Sequence, residues 1–404
     1  MNINNISRKD KVNILLFKLL LIVQYGFFLL VPIPQVSRGL AYTPWASLLL
    51  ILIMWINSLG KTDELGILVY FFILINLVSF VYIFLHYKYL DSTAYTGLGY
   101  ALLTLIYFPL KRISGKFDIK HIIIFTNILA ILIILVQVVY FNVFGSTLIS
   151  SFDPTKLQIR NGLRITYYDY LVLTNVAISV GILFKKRNLL NTVNLVLSFL
   201  YIFYVSQTRY IEAVALIITG VVGIVYVWKY LKRGYVTFIS IAISFVILPT
   251  LLIAIRKIYT ALLQPIIDGT YLNIGSYFAR LGEIDFYSNV LKNNFLFGLG
   301  NFSTDINSPI WTTIHGPEGF FYTQDLGLFG DIVRLGIPML LLFIILVFVL
   351  NKKDYKYFGN LPLKLIIYSS IGSISIFGNG FIVGLILSLI LVNREPRRNY
   401  VNVN

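Results

Sequence analysis

The chain has 404 residues, of which 58% are hydrophobic and only 12% are charged. Soluble globular domains contain roughly 25% charged residues, so this composition excludes an ordinary soluble domain and indicates an integral membrane protein. The net charge of +16 would suggest nucleic-acid binding in a soluble protein. Here the basic residues lie mainly in short segments between apolar runs, where membrane topology predicts them and no nucleic-acid partner is expected.

Successive apolar runs predict an all-α polytopic membrane protein with about twelve transmembrane helices, because a helix of roughly 20 apolar residues crosses a bilayer. The run after Arg8, Lys9 and Lys11 is interpreted as the first span, since it is too long for a signal peptide and no small-residue cleavage site follows it. The approximate spans are 13–32, 40–59, 65–87, 95–108, 119–144, 168–184, 189–205, 210–228, 235–255, 335–350, 361–377 and 380–392.

The basic residues predict the orientation of these spans. With the N-terminus in the cytoplasm, about 20 of the 33 Lys and Arg residues lie in short cytoplasmic loops, as the positive-inside rule requires. Both termini are then cytoplasmic, and segments 145–169 and 256–334 are the two large extracytoplasmic loops. Because no repeat or linker interrupts the chain, we expect residues 1–404 to form one membrane domain.

Several arginines fall on the predicted outer side, where the rule expects few. Arg160 and Arg164 lie in the first large loop, Arg280 lies in the second, and Arg209 lies in a tight turn between two spans. A single arginine at a membrane boundary can snorkel to lipid phosphates, and Arg209 has an alternative partner one helical turn away in Glu212. The presence of several arginines on the same side of the membrane favours a shared anionic ligand.

The segment from Ser276 to Gly336 is the longest one without a membrane-spanning apolar run. Polar loops on a rigid scaffold often carry function. An amphipathic helix is predicted over 271–292, with apolar positions Ile274, Tyr277, Phe278, Leu281, Ile284 and Val290. The Gly298-Leu299-Gly300 turn lacks the Gly-Lys-Ser/Thr of a phosphate-binding loop. The histidines are far apart and have no nearby acidic pair, so neither a metal nor a cofactor is expected.

The order of features in this segment resembles the large extracytoplasmic loop of the O-antigen polymerase and O-antigen ligase superfamily, most closely the Wzy-type polysaccharide polymerases. The features are Ala279-Arg280-Leu281, the stretch Asn293–Gly300, His315 and the stretch Gln324–Gly330 before an apolar helix. Residues 206–209 also resemble the Ser-x-Ser-Arg turn of that superfamily. The chain departs from the family pattern at Gly316, where Asn or Ser is commoner, and at Asp325, where Glu is commoner. The likeness covers roughly residues 153–350.

The resemblance implies a metal-independent glycosyltransferase on the outer face of the bacterial cytoplasmic membrane. Such an enzyme transfers a growing glycan from undecaprenyl pyrophosphate to a new lipid-linked repeat unit, producing O-antigen, capsular polysaccharide or exopolysaccharide. The expected partners are the lipid-linked donor and acceptor, the bilayer, and in addition a chain-length regulator and a flippase. His315 is expected to act as general base, with Arg164, Arg209 and Arg280 holding pyrophosphate and Arg160 and Asp325 adding substrate contacts.

Two alternatives remain open from the sequence. An O-antigen ligase has the same fold and donor but transfers the glycan to lipid A-core. A lipid-linked oligosaccharide flippase also has about twelve spans, although its helices are typically joined by short loops.

Overall fold

The computed structural model describes most of the chain as helix, which confirms the predicted helical class. The described residues are 7–27, 39–88, 92–146, 148, 158–159, 163–183, 188–231, 275–300, 311–316, 319, 321–352, 355, 357–372 and 374–393. The predicted span 235–255 and the start of the second large loop lie outside them. In the first large loop, strands β1 (Gln158–Ile159) and β2 (Leu163–Arg164) form a small antiparallel pair.

Fifteen α-helices carry the fold of the described residues. They are α1 (Arg8–Gln24), α2 (Gly39–Ile56), α3 (Glu64–Tyr87), α4 (Ser92–Leu102), α5 (Tyr107–Ile113), α6 (Ile119–Phe144), α7 (Asp169–Leu183), α8 (Leu189–Leu200), α9 (Arg209–Leu231), α10 (Gly275–Asn294), α11 (Trp311–His315), α12 (Gly327–Leu335), α13 (Ile337–Asn351), α14 (Leu361–Ser369) and α15 (Gly380–Val392). Short 3-10 turns at Leu103–Ile106, Thr323–Leu326, Phe358–Asn360 and Ile376–Gly378, and a π-helical turn at Tyr201–Ser206, join or extend them.

Among the described residues, four helical segments are long and apolar enough to cross a bilayer: Glu64–Tyr87, Ile119–Phe144, Leu189–Ser206 and Arg209–Trp228. Four shorter apolar helices accompany them, at Thr43–Ile56, Asp169–Leu183, Ile337–Asn351 and Gly380–Val392. The structure therefore indicates a membrane protein, and the total of twelve spans stays a prediction. Three expected spans differ from their predictions. For the predicted span 13–32, helix α1 ends at Gln24, and for 95–108 a 3-10 turn at Leu103–Ile106 separates α4 from α5. Segment 361–377 is not one helix, because α14 ends at Ser369 and a 3-10 turn follows before α15.

Asparagine side chains join the helices in the middle of the bundle. Asn127 on α6 donates to the side-chain oxygen of Asn194 on α8 at 2.8 Å, and Asn175 on α7 donates to the hydroxyl of Tyr25 at 2.9 Å. Asn194 in turn donates to Ser179 at 2.8 Å. Buried amides that find partners on neighbouring helices stabilise helix packing where the surroundings are apolar. This network holds α6, α7 and α8 together.

One end of the bundle carries an ion-pair cluster. Asp10 is fully buried and contacts Arg112 at 2.8 Å and Lys116 at 2.5 Å, while Asp63 contacts Lys111 at 2.9 Å. Burial by itself raises the pKa of Asp10, but its bonds to Lys116, Ser7 and Arg112 outweigh burial and hold that pKa below its usual value. Asp10 is therefore ionised. Arg112 and Lys116 join the start of α1 to the end of α5 and the turn that follows it.

Candidate active site

A cavity of about 530 Å³ lies at the opposite end of the bundle from the ion-pair cluster. Asn379, just before α15, lines the cavity, whereas Asn393 just after α15 accepts a hydrogen bond from Lys120 near the start of α6. The intervening helix spans about 20 Å at 1.5 Å per residue. Among the described lining residues, the charged and basic side chains are those of His315, Asp325, Asp331 and Arg334. Segments far apart in sequence thus meet at this end.

The Gly298-Leu299-Gly300 turn docks the second large loop onto the bundle. The amide of Leu299 donates to the carbonyl of Val333 at 2.8 Å, and the amide of Gly300 donates to the carbonyl of Arg334 at 2.7 Å. Gly298 has φ of 67°, and a Cβ there would lie 2.4 Å from the carbonyl of Arg334. Gly298 is therefore needed for close backbone contact. The amides of Leu299 and Gly300 bind the carbonyls at the end of α12.

His315 lines the cavity from the end of the short helix α11 and is 5% exposed. Its Nδ1 lies 2.8 Å from the carbonyl oxygen of Phe321, and its ring stacks on Trp311 at a centroid distance of 3.9 Å. Because a carbonyl only accepts hydrogen bonds, we assign the proton of the neutral ring to Nδ1. Nε2 is then the basic nitrogen, which is the arrangement that a general base requires.

Gly316, which follows His315, occupies a position where a side chain would not fit. Its φ is 73°, a left-handed conformation, and a Cβ at this position would lie 2.5 Å from the ring of Phe321. Asn tolerates the left-handed region better than most residues do, but its Cβ would displace Phe321, whose carbonyl fixes His315. Glycine is therefore the residue that this loop geometry allows.

Asp331 and Arg334 form a buried charged pair in the cavity wall. Oδ1 of Asp331 lies 3.6 Å from Nη1 of Arg334, one turn along α12, and the two side chains are 4% and 18% exposed. Oδ2 of Asp331 is buried and has no hydrogen-bond partner. Burial raises the pKa of Asp331 above its usual value, and the opposing effects of Arg334 and Ser375 only partly offset it. The protein itself therefore provides few hydrogen-bond donors to the carboxyl group of Asp331.

Glu283 holds the backbone next to His315. The amide of Tyr322 donates to Oε1 of Glu283 at 3.2 Å, while Oε2 is buried without a hydrogen-bond partner. Burial raises the pKa of Glu283, opposed by the Tyr322 amide and Arg280 and reinforced by Asp325. Glu283 thus supports the Phe321 carbonyl that orients the imidazole.

The predicted loop helix forms as α10, and the apolar positions of the prediction do not all share its buried face. Val290 packs against the buried cluster around Tyr287, whereas Leu281 and Ile284 are 43% and 44% exposed. Glu283 and Tyr287 face inward, and the hydroxyl of Tyr287 donates to the carbonyl of Ile314 at 2.7 Å. A polar bond to the segment that carries His315 thus accompanies burial of this face, and the apolar spacing gave no sign of it.

Arg164, Arg209 and Arg280 are not among the described residues that line the cavity. Arg164 donates from Nε to the carbonyl of Ser206 at 2.7 Å and from Nη2 to the hydroxyl of Thr208 at 3.1 Å, so it holds the turn before α9. Arg209 and Arg280 are exposed. Within the described part of the chain Arg209 makes no ion pair, and the alternative pairing with Glu212 does not form. Arg160 lies outside the described residues.

The Arg209 turn nevertheless lies at the cavity end of the bundle. Tyr210, the next residue, donates to the carbonyl of Ser369, and its ring approaches Gly372. The amide of Leu328 donates to the neighbouring carbonyl of Ser370 at 2.7 Å, and Ser375 lines the cavity. These contacts connect the start of α9 with the start of α12 through the break between α14 and α15.

Sequence reasoning predicted His315 and Asp325 as site residues, and both line the cavity. It did not predict Asp331, Glu283 or a site role for Arg334. A detectable signal existed for two of them, because Asp331 and Arg334 are ionisable residues three apart in a helix that leads into an apolar span. Ionisable residues in such places are expected to be functional.

The fold and the cavity together define the class as a helical membrane protein with a cavity, lined by aromatic and a few ionisable side chains, at one end of its bundle. No protein-family model, no curated protein and no solved structure matches the chain.

Proposed function

We propose that this chain is a membrane glycosyltransferase that polymerises undecaprenyl-pyrophosphate-linked oligosaccharide repeat units on the outer face of the bacterial cytoplasmic membrane. The observation that carries the proposal is His315, because its Nδ1 is fixed by a backbone carbonyl and its ring lines a 530 Å³ cavity at one end of a membrane bundle. This volume lies within the range of about 300–1,000 Å³ of small-molecule sites. The resemblance of the loop to Wzy-type polymerases supplies the reaction class.

In the proposed reaction, Nε2 of His315 takes the proton of a hydroxyl group at the non-reducing end of the acceptor glycan. The acceptor oxygen forms a bond to the anomeric carbon of the donor glycan, and the bond from that carbon to the pyrophosphate oxygen breaks. Undecaprenyl pyrophosphate leaves with the bonding electrons. The exposed Arg209 and Arg280 bind the pyrophosphate and stabilise its developing charge. Arg164 positions the Arg209 turn, and Asp325 is an exposed substrate contact in the cavity wall.

The ion-pair cluster supports the proposed orientation of the cavity. Lys111, Arg112 and Lys116 lie at the end of the bundle opposite the cavity, and the positive-inside rule assigns such clusters to the cytoplasm. The cavity then opens toward the outer face, where lipid-linked repeat units are polymerised.

A cysteine-labelling experiment tests this orientation, since the chain has no native cysteine. Asn289→Cys, on the exposed face of α10, should react with an impermeant thiol reagent in intact cells or spheroplasts. Gly115→Cys, in the exposed turn beside the ion-pair cluster, is the matched control and should react only after lysis. The reverse pattern would place the cavity in the cytoplasm and contradict the proposed topology.

Deletion of the gene in its native host tests the reaction class. Loss of a polymerase should leave single repeat units attached to the cell surface in place of long glycan, as seen by gel analysis. Polymer that remains lipid-linked and unattached would instead indicate the ligase alternative. Repeat units stranded inside the cell would indicate the flippase alternative. An unchanged surface glycan would contradict all three functions.

A further inference from the structure

The starting observation is the incomplete hydrogen bonding of Asp331. Its Oδ2 has no hydrogen-bond partner, and its Oδ1 lies 3.6 Å from the nearest guanidinium nitrogen of Arg334, beyond an ordinary hydrogen bond. A buried carboxylate is unfavourable unless hydrogen-bond donors surround it. Because Asp331 lines the cavity, a donor group on a bound ligand would complete it.

The charges of the cavity wall determine which kind of ligand fits. Among the described residues of the lining, the carboxyl groups are those of Asp325 and Asp331, and the guanidinium group is that of Arg334, which faces Asp331. A pyrophosphate group in this space would lie close to two carboxylates, and like charges repel strongly where solvent is restricted. A neutral hydroxyl group donates to a carboxylate without that cost. The cavity therefore favours a neutral polyhydroxylated ligand over an anion.

The remaining lining agrees with a sugar ligand. Amide side chains of Asn76, Gln324 and Asn379 combine donors and acceptors, as hydroxyl groups do. Aromatic rings, among them Tyr100 and Tyr170, supply flat apolar surfaces for the faces of sugar rings. This combination of a few polar groups on an aromatic wall is typical of sites that bind small polar molecules.

We propose that the cavity binds neutral sugar residues of the acceptor glycan, and that Asp331 is the carboxylate that accepts a hydrogen bond from an acceptor hydroxyl group. This assignment rests on the proposed polymerase function and adds to it. Arg334 fixes the carboxylate of Asp331 and is not the pyrophosphate ligand. The donor pyrophosphate binds outside the cavity, where Arg209 and Arg280 are exposed.

Binding measurements on the purified full-length chain test the assignment without depending on turnover. The probes are the oligosaccharide released by mild acid from the host's own lipid-linked repeat units, and inorganic pyrophosphate. Calorimetry or ligand-detected NMR should show that Asp331→Asn weakens oligosaccharide binding about ten- to a hundredfold, as expected for one lost hydrogen bond to a charged group. Asp285→Asn removes an exposed charge from α10 and is the matched control, with unchanged oligosaccharide affinity.

Inorganic pyrophosphate is the probe for an anion site. It should not compete with the oligosaccharide, and Asp331→Asn should leave the affinity of the chain for pyrophosphate unchanged. Competition between the two probes, combined with tighter pyrophosphate binding by Asp331→Asn, would show that the cavity is an anion site and overturn the assignment. Oligosaccharide binding that is undetectable in the unaltered chain, or equal in Asp331→Asn, would overturn it as well.

The two proposals fail in different ways. If deletion of the gene leaves the glycan polymerised but the purified chain binds the oligosaccharide through Asp331, the polymerase function is wrong and the sugar site stands. If the chain polymerises glycan and Asp331→Asn retains the acceptor KM, the sugar site is wrong and the polymerase function stands.

Discussion

Replacement of His315 by alanine should lower the rate of glycan polymerisation by about a hundredfold to ten-thousandfold, the usual cost of removing a general base. The physical reason is that the Phe321 carbonyl holds the ring proton of His315 on Nδ1, which leaves Nε2 as the nitrogen that accepts the acceptor's proton in the proposed reaction. The measurement is the polymerisation rate of purified enzyme with lipid-linked repeat units. A chelator should leave the rate of the unaltered enzyme unchanged.

The matched variant His315→Asn separates catalysis from loop support. The side-chain amide of asparagine can reproduce the Nδ1–H bond to the Phe321 carbonyl but offers no basic nitrogen. We expect this variant to insert, accumulate and unfold like the unaltered protein, yet to polymerise as slowly as His315→Ala. Near-normal polymerisation by His315→Asn would show that His315 only supports the loop, and the base would then be sought among Asp325 and other nearby carboxylates.

Arg209→Gln should weaken donor binding by about ten- to a hundredfold, equivalent to one lost hydrogen bond between charged groups. Arg209 is exposed at the first residue of α9 and has no ion pair in the described part of the chain, so its charge is available to a ligand. Arg209→Lys should also bind poorly, because an ammonium group cannot reproduce the two-pronged contact of guanidinium with phosphate oxygens. The donor KM and the affinity for inorganic pyrophosphate are the measurements.

Two controls define what the Arg209 result means. Lys292→Gln removes another exposed positive charge from the loop helix and should leave donor binding unchanged. The double variant Arg209→Gln with Glu212→Gln should be as weak as Arg209→Gln alone, because the lost contact is with the ligand. Full activity in the double variant would restore the interpretation that Arg209 exists to neutralise Glu212.

The limits of two helices follow closely from the sequence. The predicted spans 119–144 and 380–392 have the same limits as Ile119–Phe144 and Gly380–Val392 in the structure. Local chemistry fixes these limits, since Asp118 caps the first turn of α6 and Gly145 ends it in a left-handed conformation with φ of 68°. Apolar runs with such boundaries are recognisable without any tertiary contact.

The break between α14 and α15 was not predictable in the same way. Residues 361–377 are apolar enough to predict one span, but the carbonyl of Ser370 accepts the amide of Leu328. A Cβ on Gly327 would lie 1.7 Å from the carbonyl of Gly372. Irregular backbone is tolerated at membrane depth where protein surrounds it or a cavity adjoins it. In the structure, α12 packs against the break through Leu328, and the cavity adjoins the break at Ser375. Neither contact is visible in the sequence.

The sequence by itself determined the helical membrane class and identified His315 and Asp325 as candidate site residues, because apolar length and loop polarity are local properties. The tertiary structure decided the partners of each polar group. Arg164 binds the Ser206–Thr208 turn rather than lying in the cavity, and Asp331 joins His315 in a wall built also from α4 and the turn before α15. Contacts of this kind join residues that are far apart in the chain. Ser79 and Arg334, for example, are separated by 255 positions and share a hydrogen bond. The residues next to either partner do not indicate which distant residue it binds.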